Sequence, residues 1–573
     1  MLLPAGSSTP CTNTSKSGCC RSAATRPTPS SGSECLTSTL ILFLMRRLCG
    51  AGRACGIGRM SDAGRSPRLR PKSSSHRSTA GSRTVNPESI HRIDALKALA
   101  FMGDLSMGQP IGHSCRVAKL ADALAQALGL ETGMRADLLQ VALLRWAGCT
   151  ANAADVAQTI SDDVAGRAAM LALQMDRIHL LVAPESLPQR VGEISAIHCE
   201  VSAVIAELLG LRLSVAQALR CTFERWDGQG QPRGLRGDAI PLAILIVSLA
   251  GDLEIFARVY GLAGAQAMLK ERAGTYYPAA HVAMACECAE RWLTALAQDP
   301  DPSFDTPEPG EPADAMVSLA VVADAIDLKL PWLVGHSRAV SRLAASVALR
   351  LGLAPAEQAR VARAGLLHGL GRAGIPNALW NPQAPLTIED REKIRLSTYW
   401  TGRAARQIRR LEQEAEIASW VGERLDGSGH FRGVGEAATP MVYRVLPVAA
   451  TWTALQAWRP WRSAVSATEA SRQMAQRAQQ GLFDARVVQA LDDPAPPAPR
   501  PAASRSVLTA RELDVLRRIS LGDSNKDAAR ELGISPATVR THIESVFRKL
   551  GATSRAAATL KASAMGLLSP GSD

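Results

Sequence analysis

A run of polar residues near the C-terminus has the spacing needed to read a nucleic acid. Within Pro536–Leu550 the apolar Val539, Ile543, Val546 and Leu550 recur at steps of four, three and four, so they share one helical face. Arg540, Thr541, Glu544 and Arg548 then point the other way. In a major groove a guanidinium can bond both acceptors of a guanine edge, a hydroxyl serves either base type, and a carboxylate accepts from a cytosine amino group. Thr538 and the first turn of the helix can hold a phosphate oxygen. Lys526 and Lys549 flank the same surface with positive charge.

Elements that could position these groups can be drawn from capping residues. Thr509 caps a first helix that ends near Gly522, and Ser524 with Asp527 makes an S-x-x-D box for a second that ends at Gly533. Ser535 caps the third, with Pro536 at its first position. Ser554 opens a fourth that stops at Gly566. Two helices joined by Gly533-Ile534-Ser535 predict a helix-turn-helix. Residues 506–568 carry ten Lys and Arg against six Asp and Glu, a modestly basic module.

The charge of the whole chain says little about this module. The 573 residues carry a formal +12, yet the first 86 hold 13 Lys and Arg against two Asp and Glu, nearly the whole excess. That segment is rich in Ser, Arg, Gly and Pro without apolar periodicity, and a disordered basic tail is expected over 1–86. No apolar run reaches the roughly 18 residues of a spanning helix, so no membrane association is expected. Six of the 12 Cys lie in the tail without metal-ligand spacing; the other six are scattered, as reduced thiols of a cytosolic protein would be. With 46% hydrophobic but only 4% aromatic residues the chain can bury sizeable cores, and an all-α fold is expected.

Between tail and module the chain repeats itself. GHSCRVAKLADALAQALGL from Gly112 matches GHSRAVSRLAASVALRLGL from Gly335 at ten of 19 positions, and ALLRWAGC from Ala142 pairs with GLLHGLGR from Gly365 at the same offset of 223. FERWDGQGQPRG from Phe223 pairs with GERLDGSGHFRG from Gly422 at an offset of 199, so the first copy holds 24 extra residues after Cys149. Val117, Leu120, Ala121, Leu124 and Leu128, like Val340, Leu343, Ala344, Val347 and Leu351, follow helical periodicity. The expected domains are 87–297 and 315–491, with an acidic Pro-rich linker at 298–314, a Pro-rich linker at 492–505, and two helical copies facing each other or a partner.

The C-terminal segment resembles the LuxR-type DNA-binding domain through LTARELDVL, SNKDAARELGISPATVRTHIESVFRKL and the closing GLL. The resemblance implies that Lys526, Thr538 and Lys549 contact the DNA backbone while Arg540, Thr541 and Glu544 face bases; Ser524, Asn525 and Arg548 complete the expected set.

The repeats resemble HD-GYP domains, the cyclic-dinucleotide phosphodiesterase branch of the HD phosphohydrolases, through GHSRAV, LLHGLGRAGIPNALW, ERLDGSG and RPWR. That family binds two or three metal ions through His and Asp ligands, and metal-bound hydroxide attacks the phosphodiester. Carried over, the resemblance leaves two imidazoles per copy: His113 and His198 in the first, His336 and His368 in the second. Trp146, Gly251, Gly369 and Ala450 stand where carboxylates belong, and Arg145 replaces a ligand His. These four His are expected as vestigial metal positions, with no bound metal, no cofactor, no catalytic residue and no enzymatic activity. The loops with Asp227 and Asp426, followed by Arg233-Gly234 and Arg432-Gly433, could hold a phosphate.

The reading is therefore a transcriptional regulator on double-stranded DNA, cytoplasmic and nucleoid-associated and a homodimer, whose repeats sense a small-molecule or cyclic-nucleotide ligand or dimerise without hydrolysis. Two alternatives stay open: a metal-dependent cyclic di-GMP phosphodiesterase coupled to a DNA-binding domain, and an interaction scaffold.

Overall fold

Ser114 and Ser337, the third residues of the two GHS segments, show how the repeat builds itself. Asp104 accepts from the backbone N–H and hydroxyl of Ser114 at 3.1 and 2.6 Å, and Asp327 does the same for Ser337 at 2.8 and 2.8 Å. A carboxylate here satisfies orphan donors at a helix start. Gly112 and Gly335 precede those helices at φ of 77° and 75°, a turn that only glycine makes without strain. The computed structural model describes residues 88–181, 187–299, 315–382, 384–492 and 507–568. The expectation of a disordered tail at 1–86 and the two Pro-rich linkers therefore fall largely or wholly outside the described residues.

The fold is helical. The first copy runs through Arg92–Ser106, His113–Ala127, Thr132–Leu144, Leu187–Leu208 and Leu242–Glu271. The second repeats the plan with Ala320–Asp327, His336–Arg350, Pro355–Leu367, Ile388–Ala405 and Met441–Gln456. Val117, Leu120, Ala121 and Leu124 are buried, as are Val340, Ala344 and Val347, while Leu128, Leu343 and Leu351 are half-buried at the rim.

The two copies face each other and share one small sheet. Ser89–His91 pairs antiparallel with Met316–Ser318, Ile90 opposite Val317. Arg409 reaches Asp94 at 3.0 Å. The Asn377 N–H donates to Asp163 at 2.7 Å, and Lys329 lies 3.5 Å from the same carboxylate with both side chains buried. Asp163 belongs to the extra segment of the first copy, whose helix Asp163–Leu171 is capped by Asp162. Part of that insertion thus anchors the second copy.

Four further helices, Ala510–Ser520, Asn525–Leu532, Pro536–Leu550 and Arg555–Ala564, form the C-terminal module. Among the described residues no helix is long and apolar enough to cross a membrane, and the six described Cys form no disulfide.

Candidate DNA-reading face and repeat centres

Capping chemistry positions the exposed face of Pro536–Leu550. The Thr509 hydroxyl accepts from the Glu512 N–H while Glu512 accepts from the Thr509 N–H, a reciprocal box that fixes the first helix. Ser524 accepts from Asp527 and Ser535 from Thr538, and Gly533 turns the chain between the two helices at φ 63°. Val539, Ile543, Val546 and Leu550 are buried and hold the third helix against the module's core.

Arg540 and Glu544 stand exposed and bond each other at 3.0 Å, an i,i+4 pair on the free side of the helix. Thr541 donates to the Ala537 carbonyl. Thr538, Lys526 and Arg548 are exposed. Lys549 is bonded to Glu512 at 2.7 Å, so its ammonium also supports the first helix. Asn525 accepts from Arg555 at 2.7 Å and Ser524 is spent as a cap, so both serve the module's own architecture in this state.

The fourth helix packs on Leu187–Leu208 of the first copy. Glu200 accepts from the Thr553 N–H, and Lys561 lies 3.5 Å from Glu207. This docking had no signal in the sequence, because acidic residues on a long helix read as an ordinary solvated face.

At the centre of the first copy, His113 bonds Glu254 through Nδ1 at 2.8 Å. Burial alone would raise the Glu254 carboxyl, but His113, Arg116 and Arg258 hold it at about 2. Arg145 stacks 4.2 Å over the Trp146 ring and donates to the Val247 carbonyl at 3.2 Å. His198 donates from Nε2 to the Arg145 carbonyl at 2.8 Å and packs against Trp146 and Phe223; burial drives its imidazole down to about 3.

At the centre of the second copy, His336 and His368 lie edge to face, 5.4 Å between centroids. His368 donates from Nδ1 to the Gly365 carbonyl at 2.7 Å, and its Nε2 accepts from Arg372 at 3.2 Å. Asp327, 4.0 Å from Arg372, is pushed up to about 7 by burial. Each imidazole keeps to its own copy; the four do not converge.

Among the described residues no three His, Cys, Asp or Glu are arranged to hold a metal ion. A guanidinium stands at each centre instead: a Cβ at Gly251 would meet Arg145 at 2.4 Å, and one at Gly369 would meet Arg372 at 2.5 Å. With no third ligand among the described residues grouped beside the His113–Glu254 pair, this donor set does not fit a hydroxide-bridged metal pair. The glycine-rich loops are also filled from within. Glu224 accepts from the Arg233 and Leu235 N–H groups, both at 2.8 Å, and Glu423 from those of Arg432 and Gly433. Those amides are committed to the chain's own carboxylates, which leaves the Arg233 and Arg432 side chains as the loops' charged donors.

Comparison with known proteins places the two parts. The HD domain family matches residues 320–487, and the family "Bacterial regulatory proteins, luxR family" matches residues 506–562. A 3'3'-cGAMP-specific phosphodiesterase 3 of Vibrio cholerae is 26% identical over 388 residues, 62% of this chain and 84% of that one. The nitrate/nitrite response regulator protein NarP of Escherichia coli is 42% identical over 86 residues, 15% of this chain and 35% of that one, so the match spans about a third of that regulator. A crystal structure of a cyclic GMP-AMP specific phosphodiesterase of V. cholerae aligns with 70% of this chain and 97% of that one, at 22% identity and a TM-score of 0.49. The phosphodiesterase relative overturns the expectation of no enzymatic activity. The region carrying the repeats is similar to a phosphodiesterase.

Proposed function

We propose that this chain, which carries an HD domain and a LuxR-type DNA-binding domain, is a transcriptional regulator that reads double-stranded DNA with Arg540, Thr541 and Glu544. The observation that carries the reading is the third helix of the module, capped at Ser535 and buried on one side, with that polar face open to solvent. Ser524, Asn525, Lys526, Thr538, Arg548 and Lys549 complete the DNA contact set, with backbone contacts from Lys526, Thr538 and Lys549. In this proposal the regulator works as a homodimer in the cytoplasm, associated with the nucleoid, and its domains are those bounded at 87–297, 315–491 and 506–568.

The repeats supply the signal, and a cyclic dinucleotide is the ligand class that the phosphodiesterase relative supports. Leu187–Leu208 is the element that passes it on, since the helix bears His198 at the repeat centre and Glu200 and Glu207 against the DNA-binding module. Selection of the full chain on randomised duplex DNA tests the reading. A recovered motif, lost on Arg540→Ala, is the expected result; equal retention of all sequences would overturn it.

A second reading, that the repeats hydrolyse a cyclic dinucleotide, rests on the 388-residue match. Incubating the full chain with 3'3'-cGAMP and manganese, and following the linear product, decides it.

A further inference from the structure

We propose that Met107, Cys149 and His198 form a binding site for a soft monovalent metal ion of the copper(I) class. The Cys149 Sγ lies 3.1 Å from the Met107 Sδ and 3.6 Å from the His198 Nδ1. A thioether and an imidazole thus both approach the Cys149 thiol, although 42 and 49 residues of chain separate them from it. Soft sulfur donors of this kind select copper(I) over the hard ions that oxygen ligands hold.

The imidazole is already set for ligation. Its Nε2 faces the Arg145 carbonyl at 2.8 Å, and a carbonyl only accepts, so Nε2 carries the proton and Nδ1 turns its lone pair towards Cys149. Metal-binding His residues are commonly fixed in this way by a second hydrogen bond. All three donors are buried, and Trp146, Leu171 and Phe223 wall the cluster with apolar surface.

Charge decides the valence. Burial holds the Cys149 thiol up at about 11, and three cations, Arg167, Lys329 and Arg145, with one carboxylate, Asp163, act on it from around the cluster. A divalent ion would add positive charge to these surroundings. Copper(I) takes the place of the thiol proton, which leaves to solvent, so the net charge of the cluster is unchanged.

The second copy does not share the trio. At the repeat offsets Leu330, Arg372 and Ser397 stand for Met107, Cys149 and His198, so the donors belong to the first copy alone. Because His198 sits on the helix that touches the DNA-binding module, metal occupancy bears on that contact. The site itself depends neither on DNA reading nor on hydrolysis.

The test uses the reduced full-length chain with Cys11, Cys19, Cys20, Cys35, Cys49 and Cys55 changed to Ser, so that tail thiols do not compete. Anaerobic titration with copper(I) against a chromogenic chelator should give one tight ion per chain, with both sulfur and nitrogen neighbours in the X-ray absorption spectrum. Cys149→Ser should lose about a hundredfold in affinity and Met107→Leu about tenfold, whereas Cys286→Ser should lose nothing. The near-isosteric Met107→Leu keeps the test decisive where Cys149→Ser fails to fold. Unchanged affinity in Met107→Leu, a spectrum without nitrogen, or tighter binding of zinc(II) than of copper(I) would overturn the proposal.

Discussion

The guanidinium of Arg145 fills the space that Gly251 leaves open: a Cβ built at Gly251 would lie 2.4 Å from its Nη1 and 2.5 Å from its Nη2. Two positions 106 residues apart in the sequence are therefore one packing unit, and neither residue can be understood alone.

Gly251→Ala should accordingly destabilise the first copy by about 1–3 kcal/mol, the usual cost of overpacking a filled interior. Arg145 has little room to withdraw, because it is sandwiched between Trp146 and the Val247 carbonyl. In an Arg145→Met background the same added methyl should cost less. Urea melts of the four proteins in the cycle measure the coupling, and strictly additive effects would separate the two residues.

Arg540→Ala should lose sequence preference while the fold stays intact. The side chain is exposed and its bond is to Glu544, so nothing in the core depends on it. Loss of a bidentate guanine contact costs about 1–3 kcal/mol of discrimination. Footprints on a selected site that are identical for the variant and the parent would remove Arg540 from the reading face.

The Asp327 carboxyl makes a pH-dependent contribution of known sign. Burial raises it to about 7, from an ordinary value of 3.8 that applies to the unfolded chain. Between those values the folded state holds more proton, so the group contributes stability that is complete below about pH 3.8 and is lost as pH rises through 7. Asp327→Asn keeps an acceptor for Ser337 and has no such titration. Relative to that variant, the parent should lose stability between pH 5 and 7.5 in urea melts; parallel profiles would show that Asp327 titrates normally.

Removing both acidic contacts to the C-terminal module should loosen it without unfolding it. Glu200→Gln with Glu207→Gln weakens the bonds to Thr553 and Lys561, which are partly exposed and worth no more than about 1 kcal/mol each. Hydrogen exchange should rise several-fold in Arg555–Ala564 and stay unchanged in His336–Arg350. Equal protection in both proteins would show that apolar packing alone holds the module.

Local chemistry was legible from the residues. All four helices of the C-terminal module begin at the predicted caps, because a Ser or Thr hydroxyl bonds an N–H three residues on and needs nothing from the rest of the fold. The repeat was legible too, since the GHS segments and their buried faces are short-range patterns, and the phosphodiesterase relative agrees with the HD resemblance. That relative also corrected an inference that counting ligand positions alone had suggested, the absence of activity. Tertiary structure alone decided the rest. Pairing of Ser89–His91 with Met316–Ser318, Asp163 reaching Asn377, and Glu224 and Glu423 occupying their own glycine-rich loops each join residues whose separation carries no periodic signal or turn signature. Met107 and His198 reach Cys149 for the same reason: burial of the surrounding apolar groups, not any spacing along the chain, brings both donors to its sulfur.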